Sequence, residues 1–284
     1  MATDSRALQF VQQLAANLAP ELDLPAFPQV VRRLQIALVH DETTIRDVVG
    51  IVSSEPVLSA RFMQMANSAA LNPNRTPVAS LNNAVNRLGF NLVRTVSTAF
   101  ALRQLSRDSS LGAIRPDLEQ VWKTSNMIAS ICFAVAKQAF GRQPDEAMMV
   151  GLLHSIGRLY ILMHAHHTDP AMRNDPDFAT TLAAWQPVIG QAILESWGLP
   201  RRICEAVGNQ DYLLGGGSAD LEPLTRLLSA AKLHHRLNEE PELRTELPDA
   251  AGLLNSVNLG KGSFVDLVAA SQTDIAEMQQ ALAA

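Results

Sequence analysis

The chain has 284 residues, 47% of them hydrophobic and 18% charged, which is enough apolar material for one large or two modest domains with a substantial core. Its net charge of -5 argues against a general polyphosphate-binding surface and leaves room only for a local basic patch. Cys132 and Cys204 lie far apart without CxxC spacing and read as reduced core residues. With no basic start followed by an apolar core, no signal peptide is expected, and the expected location is the cytoplasm.

In chain order, residues 4–18 predict an amphipathic helix carrying Leu8, Val11, Leu14 and Leu18, ended by Pro20. Leu24-Pro25-Ala26-Phe27-Pro28 is a rigid lead-in to a helix over 29–40, because proline suits a first helical turn. A third helix is expected over 44–53. Ser54 is the expected N-cap of the next, with Pro56 in its first turn, and that helix runs to Asn67-Ser68. After a Pro- and Asn-rich loop, Ser80 is expected to cap a helix that Gly89 breaks, and 91–105 forms another. No β-type alternation appears in this half. Phe27, Phe62, Phe90 and Phe133 are expected in the core.

Residues 107–115 read as a Ser/Gly-rich connector and a plausible boundary. A long helix is predicted over 116–140, ended by Gly141. Pro144 and Asp145 open a continuous central helix that stops near His166. Its apolar run, residues 148–163, falls short of the roughly 20 residues a bilayer span needs. Further helices are predicted over 179–197, 201–209 and 221–237, with a Gly215-Gly216-Gly217 turn, a charged loop over 239–248 and one closing helix over 264–282. The fold class is all-α.

Inside the central helix stands Gly151-Leu152-Leu153-His154-Ser155-Ile156-Gly157-Arg158-Leu159. His154 sits where burial is expected, so it needs a partner, since an unpaired buried polar group is costly. The stretch resembles the signature of the HD metal-dependent phosphohydrolases, Gly-Leu-Leu-His-Asp-Ile-Gly-Lys-Leu, whose adjacent His and Asp both bind metal. Here the Asp is Ser155. Glu55-Pro56-Val57-Leu58, Ala66-Asn67-Ser68, Ser80-Leu81, Ala84-Val85 and Leu88-Gly89, following Leu24-Pro25 and Pro28, resemble the HDOD family, an HD-related output module of bacterial signalling proteins. The likeness covers roughly residues 20–235 and rests on several motifs in order. It implies an HD-like multi-helix bundle with an N-terminal helical lobe: residues 1–108 form the lobe, 109–284 the bundle, in one module.

Position by position, the resemblance puts Thr124 where the family has a metal-binding His, in Trp122-Lys123-Thr124-Ser125. It keeps His154, replaces the Asp by Ser155 and a third ligand by Gln186, and places a His-His pair near Gln210-Asp211, beyond the conserved-looking Trp197-Gly198-Leu199-Pro200. Thr and Gln are poor ligands beside His and carboxylate. The expectation is therefore a kept fold, a lost metal site and no cofactor. Thr124, His154, Ser155 and Arg158 could line a polar pocket for water or an anion, or form an ordinary buried network.

The resemblance implies a non-catalytic regulatory or protein-interaction module of bacterial signal transduction, with protein partners, signal input from outside this chain and a small ligand in the old cleft as options. A residual metal-dependent phosphohydrolase, or a protein that binds nucleotides or cyclic dinucleotides, is the alternative. Residues 80–102 outline a helix-turn-helix, but its second helix offers only Arg94 and Arg103 as positive side chains, so two packed core helices are preferred to nucleic-acid binding. His164, His166 and His167 have i, i+3 spacing at a helix end, where helix-dipole contacts are preferred to metal. His234-His235 reads as a solvated face. Membrane association is not expected.

Overall fold

A computed structural model describes residues 5–16, 28–105, 109–140, 144–214 and 221–283. Pro20, Leu24-Pro25, Phe27, Gly141 and the Gly215-Gly217 turn lie outside the described residues. The described residues are helical throughout, with one isolated bridge between Asn258 and Ser263. All-α is correct.

The first five helices are α1 (Arg6–Ala16), α2 (Gln29–Ala37), α3 (Ile45–Val52), α4 (Pro56–Asn67) and α5 (Leu81–Leu105). α3 opens on a reciprocal capping box between Thr44 and Asp47. The expected Ser54 cap is corrected to Glu55. Glu55 has the extended backbone of an N-cap and its carboxylate accepts from Val57 N, while Ser54 Oγ turns back to donate to Ile51 O (2.7 Å). Ser80 does cap α5, accepting from Asn83 N at 3.2 Å. Gly89 breaks α5 with φ 69° and ψ 165°, a left-handed conformation that glycine adopts without steric cost. That kink leaves Phe90 36% exposed, so it is no core residue, unlike Phe62 and Phe133.

Asn67 explains the Ala66-Asn67-Ser68 motif. Its amide donates to Met63 O and Val78 O, and its carbonyl accepts from Val78 N at 2.8 Å, clamping the 68–80 loop onto α4. The helix-turn-helix outline over 80–102 packs on α2, α3 and α4, and Arg94 is engaged with Leu38 O at 2.6 Å. That guanidinium is used to end α2.

The second half begins with a 3-10 turn, Ser109–Ile114, where a connector was expected; Leu111 and Ile114 are buried and make it part of the core. Then come α6 (Arg115–Ala139), α7 (Pro144–Leu153), α8 (Ile156–Thr168), α9 (Phe178–Ser196), α10 (Arg201–Gly208) and α11 (Pro223–Glu239). The last are α12 (Leu243–Glu246), α13 (Ala250–Ser256), α14 (Phe264–Ala270) and α15 (Gln272–Ala283). The expected charged loop after 239 therefore holds α12, and the expected single closing helix is two, α14 and α15, that meet at buried Ser271.

α6 is the axis, packed against α5, α7, α8, α11, α14 and α15. α1 crosses to α9, and its Phe10 ring meets His164 on α8 at 5.8 Å. Two glycines allow the tightest approaches. A Cβ on Gly151 would lie 2.6 Å from Ala129 Cα of α6, and one on Gly157 would lie 2.1 Å from Gln186 O of α9. Pro144–Thr168 is apolar and long enough by composition to cross a bilayer, more than its 148–163 run suggested, yet 83% of its apolar window is buried in protein. Its apolar surface is spent on the core.

Candidate functional site

The continuous central helix of the sequence reading is broken in two. The break falls at His154-Ser155, between α7 and α8. His154 Nδ1 donates to Gly151 O (2.7 Å), the carbonyl that Ser155 N would engage in an unbroken helix. Ser155 then sits at φ -97°, ψ 10° as the first residue outside α8. The carbonyl of His154, released by the break, accepts from Gln210 Nε2 at 2.9 Å. The buried backbone groups at the break are thus satisfied by side chains.

Because Gly151 O can only accept, Nδ1 of His154 carries the proton and Nε2 is bare. Ser155 Oγ lies 2.8 Å from Nε2 and donates to it. Burial, reinforced by the nearby Lys232 ammonium, pushes His154 down to about 3, against the opposing pull of the Gly151 carbonyl. His154 is neutral at pH 7, and its free lone pair is taken by the Ser155 hydroxyl.

Lys232 on α11 completes the network. It is buried, and its Nζ donates to Gln210 Oε1 (2.9 Å) and Asp211 Oδ2 (2.8 Å), with Oδ1 at 2.7 Å. Burial lowers the lysine's affinity for its proton and Asp211 restores part of it. A chain of contacts therefore runs from Ser155 through His154 and Gln210 to Lys232 and Asp211.

This network forms the floor of a cleft of about 620 Å³ between α6, α8, α9 and α11. Thr124, His154, Ser155, Arg158, Gln186 and Asp211 all line it, so these positions, spread along the sequence, meet in space. Gln210 does not line it; wholly buried behind the floor, it holds His154 and Lys232 in place. The break separates Arg158 on α8 from His154, yet both reach the cleft. Thr124 Oγ1 accepts from Gln120 Nε2 at 3.3 Å, one turn earlier on α6.

Sequence reading missed Lys232 and Arg236. Arg236 pairs with Glu240 at 2.8 Å, which raises its pKa. His235 lines the cleft and His234 sets its ring edge on Phe264 at 5.9 Å, so the expected solvated face of this pair is corrected: burial lowers both. The discoverable signal was Lys232 itself, four residues after buried Leu228 and thus on the inward face of α11. Of the second histidine cluster, His164 stacks on Tyr160, and His166 donates to Ser110 O at 3.0 Å.

The donors do not fit a metal. Among the described residues no three or more His, Cys, Asp or Glu side chains stand close enough to hold one. Asp211 is ion-paired to Lys232, the His154 lone pair is occupied by Ser155, and Thr124 and Gln186 are neutral. The Lys232 ammonium and the Arg158 guanidinium would repel a divalent cation.

The His154 environment has a consequence for stability. Its folded-state pKa lies below the ordinary 6.5, so on acidification the unfolded chain takes up the proton first. Stability that is complete above pH 6.5 is then lost at about 1.4 kcal/mol per pH unit as pH falls toward the folded-state value. Urea denaturation at steps between about pH 6.5 and pH 4.5 should show His154→Gln with a slope shallower by about that amount. Equal slopes in the two proteins would mean another group titrates.

The helical bundle, with its cleft built on a Gly-x-x-His-x-x-Gly break, is an HD-like fold. The HDOD domain model matches residues 24–212, and the chain belongs to the HDOD family. Among solved structures, a candidate metal-dependent phosphohydrolase from Shewanella amazonensis SB2B superposes with TM-score 0.64 and 24% identity, covering 94% of this chain and 99% of that one. An HDOD domain protein of unknown function from Geobacter sulfurreducens gives TM-score 0.61 at 18% identity, covering 97% of each chain. These likenesses establish the shared fold. An uncharacterized protein of Treponema pallidum (strain Nichols) is 24% identical over 207 residues, which is 69% of this chain and 39% of that protein.

Proposed function

We infer that this chain is a non-catalytic regulatory module of bacterial signal transduction, working in the cytoplasm by binding a protein partner. One observation carries the reading. Four of the positions where the resemblance expects metal ligands, His154, Ser155, Gln210 and Asp211, are bonded to one another or to the buried ammonium of Lys232, so the floor of the cleft is cross-linked by a fixed cation. Hydrolysis of the HD type needs a metal that lowers the pKa of bound water and polarises a phosphoryl oxygen. Here the one carboxylate on the floor already neutralises Lys232.

The competing reading is residual phosphohydrolysis, the activity suggested by the description of the Shewanella neighbour and favoured by the presence of both His154 and Asp211 in one cleft. Metal content decides between them, measured by mass spectrometry on protein purified without chelators from metal-replete medium. Turnover of phosphomonoesters and cyclic dinucleotides is assayed beside it. Substoichiometric metal and no turnover are expected. Stoichiometric iron, manganese or zinc, with turnover abolished in His154→Ala, would overturn the non-catalytic reading.

A further inference from the structure

Gln186 and Arg158 face each other across the cleft without a hydrogen bond or ion pair among the described residues. Gln186, only 9% exposed, makes no side-chain hydrogen bond among the described residues. Arg158, half-buried on the facing helix, makes no hydrogen bond or ion pair among them either. The carboxylate that favours its charge, Asp117, is already bound by Arg173.

Of the charged groups that line the cleft, Arg158 and Glu239 are the two with no ion pair among the described residues. Three cations converge, Arg158, Lys232 and Arg236, and Lys232 feels the repulsion of both guanidinium groups. Asp211 answers Lys232 and Glu240 answers Arg236, while Glu239 stands exposed at the end of α11. A guanidinium is a planar fork that binds carboxylate or phosphate oxygens two at a time. Around this point the wall is apolar, made by Val121, Ile128, Pro187 and Leu214. The volume suits a small organic molecule, since such sites occupy about 300–1,000 Å³. An adjoining depression of about 480 Å³ shares Gln120, Thr124, His235 and Glu239 and extends the room toward α15.

We propose that the cleft is a metal-free receptor for a small organic anion. Arg158 and Gln186 hold its phosphate or carboxylate head, and its apolar body lies against Val121, Ile128, Pro187 and Leu214. This rests on the non-catalytic reading above, and it names the ligand class of that same site. Fixed cations replace a metal as the source of positive charge. Ligand occupancy would tie α8 to α9 through the head group, which gives the module a small-molecule input.

The test is calorimetric titration of the full chain with phenyl phosphate, adenosine monophosphate and benzoate, with benzyl alcohol and adenosine as uncharged counterparts. At least one anion binds and its counterpart does not. Phosphate and carboxylate probes tell the two head groups apart. Arg158→Met weakens binding by about tenfold or more, and Arg158→Lys, which keeps the charge without the fork, falls between. Arg158 makes no hydrogen bond or ion pair among the described residues, so both variants should melt close to the wild type, and Gln186→Leu gives an independent loss. Binding is unchanged by EDTA. If no anion binds, or Arg158→Met binds as well as wild type while EDTA has no effect, the anion site is wrong and the non-catalytic reading stands. Binding abolished by EDTA would overturn both.

Discussion

Gly157→Ala is expected to destabilise the protein by about 3 kcal/mol or more. The new Cβ would stand 2.1 Å from Gln186 O and 2.6 Å from Gly190 N, both backbone atoms of α9. Backbone atoms inside a helix cannot rotate aside, so α8 and α9 must separate. Separation would also move Arg158 from Gln186 across the cleft. Gly50→Ala is the matched control: Gly50 is exposed in α3, a Cβ there meets nothing within 4 Å, and helix propensity predicts a gain of about 1 kcal/mol. Urea midpoints of the two variants should therefore move in opposite directions. A Gly157→Ala protein as stable as wild type would mean that α8 and α9 are not in the register described.

Asp211→Ala is expected to cost about 3 kcal/mol, because it strands a buried ammonium. The side chain of Lys232 is 11% exposed and that of Asp211 37%, so water can reach the carboxylate far better than the amine. Lys232→Met should consequently cost less, about 1–2 kcal/mol, chiefly from leaving Gln210 Oε1 without its donor. Adding Lys232→Met to Asp211→Ala should recover part of the loss. Raising the pH toward 10.5, the ordinary lysine value, should also shrink the Asp211→Ala defect, since the unfolded chain then loses the proton that the buried amine cannot keep. Equilibrium unfolding of the three variants at neutral and alkaline pH measures this directly. A greater loss for Lys232→Met than for Asp211→Ala would mean that the ammonium is not the buried partner.

Much of this architecture was legible in local chemistry. Ser80 as a cap, Pro56 in a first turn and Gly89 as a break each follow from one residue's backbone or side-chain preference, and the structure has all three. Ser54 failed as a cap because Glu55 beside it can cap too, and periodicity does not choose between neighbours. The central helix read as continuous because apolar residues surround α7 and α8 on most sides, which hides a change of axis. What breaks it is a side chain, His154, competing for a backbone carbonyl.

Matching the chain to a known pattern identified Thr124, His154, Ser155, Gln186 and Asp211 as related positions, and the cleft gathers them. It could not identify Lys232, since the pattern describes which residues bind a metal and says nothing about a buried ammonium beside them. Sequence by itself determined the helices, because caps, prolines and i, i+4 spacing act over one or two turns of chain. It also determined that Thr124 and Gln186 are uncharged, because a threonine or a glutamine has no charge wherever it is placed. Only the tertiary structure decided what the remaining groups do. Their partners come from the α7–α8 break, the turn after α10 and the middle of α11, and hydrogen bonds and ion pairs depend on distances of about 3 Å that packing alone sets.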